Sequence, residues 1–381
     1  MKTLFLIFHG RFPSEKAASL FAAKSSEAFA DEGYTVTLLV PRRIGVNHSD
    51  PYGFYGIRKN FRIVYLPTFD LFGIPILSRI AFYVSMTAFS FATLIYILTR
   101  SDRSSVIYSN EHLPLLLASY ARRNTFYEIH DMPEKNHSFY ALLLHRIKGA
   151  IITNRWKLEH IAKVFNIPRA KLLYEPNAVE IAQFDILTTK EEARAKLGIK
   201  PQTSTVLYTG HLYGWKGVDT LAHAAKILSG RAEVYIVGGT REDIARFKKA
   251  FSYMLNLHIV GHRPHSEISL WQKAADVVVL PNTARENISK YYTSPMKLFE
   301  YMASKRPIVA TDIPSVREIL DTTNAIIVAP DNSEAMAQGI INALENQGLV
   351  SRITDTAYRF VGLHTWSKRA GRVLNFIEKR N

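Results

Sequence analysis

Residues 3–40 read TLFLIFHGRFPSEKAASLFAAKSSEAFADEGYTVTLLV, and this stretch decides the fold class. A short apolar run at residues 3–8 predicts a buried strand, and Ser14 is the expected N-cap of a helix that continues to about Asp31. Gly33 ends that helix, and residues 34–40 carry the β-branched and apolar side chains of a second strand. The stretch is therefore a β-α-β unit, which joins two parallel strands.

The same alternation continues along the chain and restarts after Lys200. Alternating strands and helices predict parallel sheets with helices on both faces, the α/β class. Further strands are expected at residues 62–66, 105–108, 125–129, 149–153, 171–174, 205–209, 233–237, 257–260, 277–281, 308–311 and 325–328. Helices are expected at residues 218–228, 242–251, 266–273, 295–304, 315–320, 333–345 and 349–379.

A length of 381 residues allows two domains of ordinary size. The polar stretch at residues 183–203 is the expected boundary between an N-terminal Rossmann-like domain, residues 1–185, and a C-terminal one, residues 186–360. The final helix, at about residues 360–381, is expected to pack back onto the first domain. Two doubly wound domains in tandem would face each other across a central cleft at the carboxyl ends of their sheets.

The composition limits the cellular compartments and the binding partners that suit the protein. The chain has no cysteine, which excludes disulfides, thiolate metal sites and cysteine nucleophiles and suits a reducing cytoplasm. A net charge of +15 suits nucleic acid, anionic lipid or phosphorylated small molecules, and a solvated basic face is the alternative. Local basic clusters occur at Arg42-Arg43, at Arg58-Lys59-Arg62 and at Arg122-Arg123.

Residues 80–99 form a run of twenty uncharged residues, long enough to span a bilayer. The strands expected before and after this run belong to one sheet, and a spanning helix would place them on opposite sides of the membrane. We therefore expect a buried or interfacial helix with Arg79 and Arg100 at its ends. The N-terminus lacks the cleavage site of a signal peptide, since Gly10–Pro13 follows the apolar run.

Residues 208–217, YTGHLYGWKG, form a glycine-rich turn between a predicted strand and a predicted helix. Gly210, Gly214 and Gly217 would let the backbone approach a ligand closely, and free N–H groups at the helix start favour an anion. Lys216 adds a positive charge where a diphosphate would lie. The alternative is an ordinary βα loop with an exposed lysine.

Residues 292–303, YTSPMKLFEYMA, carry the second signal. Ser294 before Pro295 is a suitable N-cap and first-turn pair, so the positive end of the helix dipole would point toward the same ligand as the glycine turn. Glu300 lies beyond the first turn, and its carboxylate would accept two hydrogen bonds from a ribose diol. A solvated helical glutamate is the alternative.

Other segments accompany these two in order along the chain: residues 12–17, FPSEKA; 127–131, YEIHD; 175–179, EPNAV; 237–239, VGG; 275–277, ADV; and 305–312, KRPIVATD. Together they resemble the retaining family 4 glycosyltransferases of the GT-B fold. In that family a G-R-x(4)-K-G-like turn binds the donor diphosphate, and an E-x7-E segment contacts sugar and ribose. The resemblance extends over nearly the whole chain and is strongest after Val206.

The resemblance implies roles for individual residues. Lys216 matches the diphosphate lysine, Glu300 the glutamate that binds the ribose hydroxyls, and His130 the first-domain histidine that faces the reacting sugar. Gly10 lies in the loop that closes over donor and acceptor. The other donor positions are Gly210 and His211 in the glycine turn, Gly261, His262 and Arg263 beside the nucleobase, and Tyr292, Ser294, Pro295, Met296, Lys297 and Leu298 along the sugar and phosphates.

Two positions depart from the family pattern. His211 stands where the family has an arginine, and a bound diphosphate should favour its protonated form. Tyr292 falls on the first glutamate of E-x7-E and cannot replace a carboxylate, so the identity of the donor sugar is in question more than the reaction class. Glu286 is the candidate to supply that carboxylate, the alternative being an exposed loop acid beside Arg285.

The resemblance implies a metal-independent, retaining hexosyltransferase-type enzyme without a cofactor. It would move a sugar from a nucleotide-sugar donor to a glycan, lipid-linked or small-molecule acceptor, in the cytoplasm and in peripheral contact with the anionic inner face of a membrane. The absence of D-x-D, G-x-G-x-x-G, P-loop and H-E-x-x-H motifs argues against other nucleotide and metal enzymes. The alternatives are a nucleotide-sugar 2-epimerase of the same fold and, more remotely, a basic nucleic-acid-binding protein.

Overall fold

The computed structural model describes residues 2–46, 50–70 and 78–380, and the side chains of residues 78 and 79 lie outside the description. Arg79, expected at a helix end, is one of these two residues. The chain divides into two compact units. Unit 1 comprises Met1–Pro176 together with Trp366–Asn381, and unit 2 comprises Asn177–Thr365.

Unit 1 is built on a seven-stranded sheet in which all strands are parallel. The strands lie in the order β3-β2-β1-β4-β5-β6-β7. Their apolar runs are buried on both faces, as in parallel sheets covered by helices. The strands are β1 Thr3–Ile7, β2 Thr35–Pro41, β3 Arg62–Leu66, β4 Val106–Ser109, β5 Thr125–Ile129, β6 Gly149–Ile152 and β7 Leu172–Tyr174.

Unit 2 repeats this plan with a six-stranded parallel sheet in the order β10-β9-β8-β11-β12-β13. The order reverses beside β8, and ligands of doubly wound sheets bind at such a switch point. The strands are β8 Thr205–Thr209, β9 Glu233–Val237, β10 Leu257–Gly261, β11 Val277–Leu280, β12 Ile308–Thr311 and β13 Ile326–Val328.

Helices connect the strands in both units. Unit 1 contains α1 Ala17–Asp31, α2 Pro51–Tyr55, α3 Ser78–Arg100, α4 His112–Ala121, α5 His137–Arg146, α6 Arg155–Val164 and the last helix of the chain, α16 Trp366–Glu378. Unit 2 contains α7 Ile181–Phe184, α8 Lys190–Leu197, α9 Val218–Ile227, α10 Arg241–Ala250, α11 His265–Ala274, α12 Met296–Ala303, α13 Pro314–Arg317, α14 Ser333–Glu345 and α15 Gln347–Val361.

The predicted α/β class with two Rossmann-like parallel sheets is confirmed, and each expected strand forms within one or two residues of its predicted bounds. Two helix predictions are wrong. Ser14 does not cap α1, because its hydroxyl accepts a hydrogen bond from Lys16 N and closes the preceding turn. The single helix expected at residues 349–379 is broken between α15 and α16, where Val179 N donates to His364 O.

The C-terminal helix α16 completes the core of unit 1 through a buried ion pair. The guanidinium of Arg369 lies 2.7 Å from Glu128 Oε1 on β5, and both side chains are almost fully buried. The carbonyl of Pro176 accepts a further bond from Arg369 Nε. Burial raises the pKa of Glu128 to about 7, and Arg369 opposes that rise. The pair therefore compensates one buried charge with another.

Helix α3 packs one face on unit 1 and leaves the other exposed. Ala81, Met86 and Phe89 are buried. By length and composition this helix is the one candidate for a membrane span among the described residues, but it connects β3 and β4, which belong to one sheet. The exposed face of α3 carries a stripe of large apolar side chains, spaced three, four or eight residues apart. We call this the exposed stripe of α3, and it consists of Ile80, Tyr83, Phe91, Ile95 and Leu98.

The predicted basic clusters are partly structural. Arg43 is buried, with its guanidinium 3.0 Å from Ser85 Oγ. Arg58 pairs with Glu27 on α1, and Arg122 donates to Ser101 O beyond the end of α3. These arginines bind groups within unit 1, and of the acceptors named here only Glu27 carries a charge that offsets that of its arginine.

Replacing Arg369 by Met should destabilise unit 1 by about 3–5 kcal/mol at pH 8, because Glu128 would be left as an uncompensated buried charge. The loss should shrink at pH 5.5, since a raised carboxyl pKa means that Glu128 is protonated there and no longer needs its partner. Urea unfolding of variant and wild type at both pH values measures this. The double variant Glu128→Gln, Arg369→Met is the control and should recover part of the lost stability. Equal stability losses in Arg369→Met at both pH values would contradict the role of Arg369 in compensating the Glu128 charge.

Candidate functional site

The turn between β8 and α9 depends on glycine at two positions. Gly210 and Gly217 have φ values of +123° and +67°, which residues with a Cβ rarely adopt. A Cβ on Gly217 would lie 2.0 Å from Pro281 O, and one on Gly238 would lie 2.2 Å from Gly210 O. The loops after β8, β9 and β11 can therefore approach backbone to backbone at the carboxyl edge of the sheet.

Hydrogen bonds with two tyrosine hydroxyl groups hold this turn in place. Tyr208 donates its hydroxyl hydrogen to His211 O at 2.7 Å, and Thr209 N donates to the Tyr301 hydroxyl at 2.8 Å. A 3-10 turn at Gly214–Lys216 follows and leads into α9, with Gly217 at its N-cap position. Because Gly217 has no side chain, the first N–H groups of α9 stay accessible to a ligand.

Three nitrogen-bearing side chains converge on the glycine turn: His211, Lys216 and Lys297. Lys216 Nζ lies 3.6 Å from the Trp215 ring centroid, and burial lowers its pKa to about 7. Lys297 reaches the turn from α12, with Nζ 3.8 Å from the Tyr208 ring centroid. The pKa of His211 is lowered by partial burial and by repulsion from both lysines. His211 is therefore neutral near pH 7 until an anion is bound.

Helix α12 begins close to the glycine turn but not as predicted. Its N-cap residue is Pro295, and Ser294 makes no side-chain cap. Instead the Ser294 carbonyl accepts a hydrogen bond from Asn177 Nδ2, which fixes the loop before the helix. Leu298 is fully buried in the core, while Met296 is partly exposed. Of the residues predicted here, Ser294, Met296 and Lys297 are partly exposed, while Pro295 is buried.

Glu300 is held by a chain of side chains that sequence reasoning missed. Its Oε1 lies 3.2 Å from His265 Nε2 at the start of α11, and His265 Nδ1 lies 2.9 Å from Gln183 Nε2 on α7. The amide of Gln183 donates to Nδ1, so Nε2 carries the hydrogen that is donated to Glu300. The chain orients one carboxylate oxygen and leaves the other for a ligand. A histidine 35 residues before Glu300 gives no local signal of this contact.

The two residues considered for the sugar end of the site lie on one segment. Tyr292 ends a π-helical turn at Ile288–Tyr292, two residues before Ser294. Glu286 precedes this turn and is exposed, and its Oε1 would lie 3.5 Å from a Cβ on Gly214. The structure therefore brings a carboxylate to the glycine turn from a position outside the E-x7-E spacing.

The predicted nucleobase turn follows β10. Gly261 is the last residue of that strand and has a φ of +84°, while His262 and Arg263 are exposed. Arg263 Nη1 donates to His262 O at 3.0 Å, which stiffens the turn. Since β10 follows β9 at the sheet edge, this turn and the glycine turn lie at the same end of the strands.

Unit 1 holds the two predicted site residues that precede residue 177. Gly10 follows β1, and a Cβ there would overlap the Phe8 ring at 2.2 Å. His130 follows β5, and its ring packs edge-on against Phe21 with 4.5 Å between centroids. Burial, Lys157 and Arg369 lower its pKa to about 3, so its imidazole is neutral. A neutral imidazole can exchange hydrogen bonds with a hydroxyl but carries no charge.

Sequence reasoning also missed a buried carboxyl group at the same edge of unit 1. Glu111 follows β4 and accepts a hydrogen bond from His9 N at 3.0 Å. Its pKa is raised to about 7 by burial, while Arg43 and the His9 hydrogen bond oppose the rise. The signal available in the sequence was a polar Ser-Asn-Glu-His run directly after a buried strand.

Replacing Gly217 by Ala should destabilise unit 2 by more than about 2 kcal/mol, because the new Cβ would meet Pro281 O in addition to the left-handed backbone penalty. Gly230→Ala is the matched control: Gly230 has a φ of +78° and open space around its Cβ position, so only the backbone penalty of about 1–2 kcal/mol applies. Chemical unfolding of both variants measures the difference. Equal losses would show that the close approach is not needed for stability.

Part of unit 2 resembles a known protein family. Residues 203–346 match the family model described as glycosyl transferases group 1. An uncharacterized glycosyltransferase of Methanocaldococcus jannaschii is 26% identical over 227 residues, which cover 57% of this chain and 56% of that protein. A phosphatidyl-myo-inositol mannosyltransferase of Mycolicibacterium smegmatis is 24% identical over 249 residues, 63% of this chain and 58% of that one. The matches thus span little more than half the length of these curated relatives.

Solved structures share the fold over the full chain. A sucrose-phosphate synthase from Thermosynechococcus elongatus superposes with a TM-score of 0.78 at 17% identity, covering 100% of this chain and 99% of that one. HepE from Anabaena, in complex with UDP and glucose, gives a TM-score of 0.75 at 15% identity, with 99% of each chain covered. The resemblance predicted from the sequence is therefore confirmed: residues 203–346 match the group 1 glycosyltransferases, and the chain has the two Rossmann-like units of the GT-B fold.

Proposed function

We propose that the protein transfers a sugar, with retention at the anomeric carbon and without a metal, from a nucleoside-diphosphate sugar to a glycan, lipid-linked or small-molecule acceptor. One observation carries the proposal. In unit 2 a glycine turn with buried cations and a helix that presents a positioned carboxylate, Glu300, lie within the stretch matched by the family model. HepE, with the same fold, has been crystallised with UDP and glucose, which supports a nucleotide-sugar donor here.

The proposed roles follow from charge. A sugar that leaves a nucleoside diphosphate develops positive charge, and the phosphates that it leaves gain negative charge. Lys216, the N-terminus of α9 and a protonated His211 would stabilise those phosphates. The second oxygen of Glu300 would accept hydrogen bonds from the ribose diol. The departing phosphate oxygen would take the proton of the acceptor hydroxyl on the same face of the sugar, so that no separate protein base is needed.

The sugar end of the site relies on different groups. Glu286 is proposed to supply the carboxylate that Tyr292 lacks, because its side chain lies beside the glycine turn. His130, whose imidazole is neutral, is proposed to exchange hydrogen bonds with a sugar hydroxyl. These assignments give unit 2 the donor and unit 1 the acceptor.

We also propose a cytoplasmic protein in peripheral contact with anionic lipid. The exposed stripe of α3 presents aromatic and branched aliphatic side chains without a charge, as interfacial helices do. Arg100 at its end and Arg103 beyond it are exposed cations that would contact lipid phosphates. The mannosyltransferase relative is named for a phosphatidyl-myo-inositol substrate, which supports a lipid-linked acceptor.

A thermal-shift screen of nucleotide sugars, with free UDP and GDP, tests the donor. At least one compound should raise the unfolding temperature, and its transfer to an acceptor should proceed in excess EDTA with the anomeric configuration of the donor, read by NMR. Failure of every nucleotide and nucleotide sugar to stabilise the protein would refute the proposal. Inhibition by EDTA or an inverted product would refute only the corresponding part of the mechanism.

Replacing Glu300 by Ala should weaken binding of the stabilising donor by about 1–3 kcal/mol, because a charged acceptor of ribose hydrogen bonds is lost. Calorimetric titration measures the affinity. Glu334→Ala on α14 is the control, since this first-turn glutamate is exposed and lies on a different helix. An unchanged donor affinity in Glu300→Ala would make this residue structural.

Replacing Phe91 and Ile95 by Asp should reduce sedimentation with phosphatidylglycerol-containing liposomes by at least about fivefold, since two apolar anchors are lost and two like charges are added near an anionic surface. Leu255→Asp, at an apolar residue of unit 2 that is 93% exposed, is the matched control. Wild-type binding should weaken as salt rises. Equal binding by the α3 variant would exclude this stripe as the contact.

A further inference from the structure

Lys297 has a buried ammonium group without a hydrogen-bond partner among the residues that the structure describes. Its Nζ is fully buried and makes no hydrogen bond with any of the residues that the structure describes. Buried charged groups are normally paired or hydrogen-bonded, because the loss of water is otherwise uncompensated. The other buried lysine with a comparable environment, Lys157, donates to Thr153 Oγ1 and to two main-chain carbonyls. Lys297 therefore lacks the hydrogen-bond acceptors that the fold supplies to Lys157.

The position of Lys297 increases this cost. It is the second residue of α12, where the helix dipole disfavours a positive charge. Lys216 lies close enough to repel it, and Glu300, one turn along the helix, offsets part of the repulsion. The Tyr208 ring is its nearest favourable contact. A single aromatic face compensates an ammonium only in part, so the ring explains where the side chain rests but not why a lysine is there.

The ammonium points into the glycine turn. A Cβ on Gly210 would lie 2.7 Å from Lys297 Nζ and 3.2 Å from its Cε. The same turn carries His211, and its N–H groups lead through Gly214–Lys216 to the start of α9. Lys297, Lys216 and the first turns of two helices therefore direct positive charge to one place, and a compound with two adjacent phosphates would compensate all of them at once.

We propose that the Lys297 side chain binds the donor diphosphate and supplies the second cation that the turn lost when His211 took the arginine position. The inference rests on the proposed function and adds to it the residue that sets phosphate affinity. It differs from the assignment by family resemblance, in which the backbone of residues 294–297 lies along the donor sugar and phosphates. Burial and Lys216 hold the pKa of Lys297 well below its usual range, and a bound diphosphate would raise it again.

The test is the variant Lys297→Met, which keeps the length and apolar stem of the side chain. Calorimetric titrations with UDP and GDP, and NMR titrations with uridine and guanosine, compare variant and wild type. The affinity for the nucleoside diphosphate that binds should fall about 10- to 100-fold, as for a lost charge-assisted hydrogen bond, while the nucleoside affinity should stay the same. The unfolding temperature of the ligand-free protein should not fall, because an uncompensated charge has been removed. Lys248→Met, an exposed lysine of α10, is the matched control and should bind as the wild type does.

A second variant tests the replacement directly. Adding His211→Arg to Lys297→Met should restore at least tenfold of the lost affinity, since it returns a cation to the turn from the family position. The inference is overturned if Lys297→Met binds the diphosphate within threefold of wild type. It is also overturned if nucleoside and diphosphate affinities fall together, or if the ligand-free protein loses stability and His211→Arg restores nothing, because the lysine would then be structural. A wild type that binds neither UDP nor GDP would instead defeat the proposed function itself.

Discussion

The close approach of backbone to backbone at Gly210, Gly217 and Gly238 is the constraint on which the proposed donor site depends. In a parallel sheet every strand ends at the same edge, and side chains on the following loops would normally keep those loops apart. Here a Cβ at Gly217 or Gly238 would overlap a carbonyl oxygen. Without these side chains, N–H groups and lysine ammonium groups occupy the edge instead. These groups concentrate positive potential at the edge, and an anion bound there would lower the electrostatic energy of the site.

The regular part of the fold could be predicted because it is encoded locally. Buried parallel strands are short runs of Val, Ile, Leu and aromatic residues, and such runs at residues 205–209 or 308–311 are visible without knowledge of their neighbours. The break between α15 and α16 could not be predicted in the same way. Residues 347–378 carry a helical pattern throughout, and what interrupts it is a main-chain bond from Val179, more than 180 positions earlier. Long-range partners decide where a helix ends when its own residues do not.

The residues of the proposed donor site could be predicted from the sequence where they are close together along the chain. The glycine turn and the start of α12 each form within a few residues, so their spacing indicates their chemistry. The partners of Glu300 are different, because His265 and Gln183 reach it from other elements. The burial of Lys297 against Tyr208 and Gly210 also depends on the packing of β8 against α12. A family pattern indicates which sequence positions contribute to the site. Only the fold shows which side chains lie close enough to interact electrostatically.

The place of α16 in unit 1 has a consequence for how the protein is made. Unit 2 is one continuous stretch, residues 177–365, whereas unit 1 needs residues from both ends of the chain. On the ribosome, residues up to 176 emerge first but must wait for Arg369 before the carboxylate of Glu128 finds its cation. At about 5–20 residues per second that wait lasts roughly 10–40 s. The half of the molecule that is translated first is thus the last to become complete, and during synthesis its unfinished core is where chaperones would be needed.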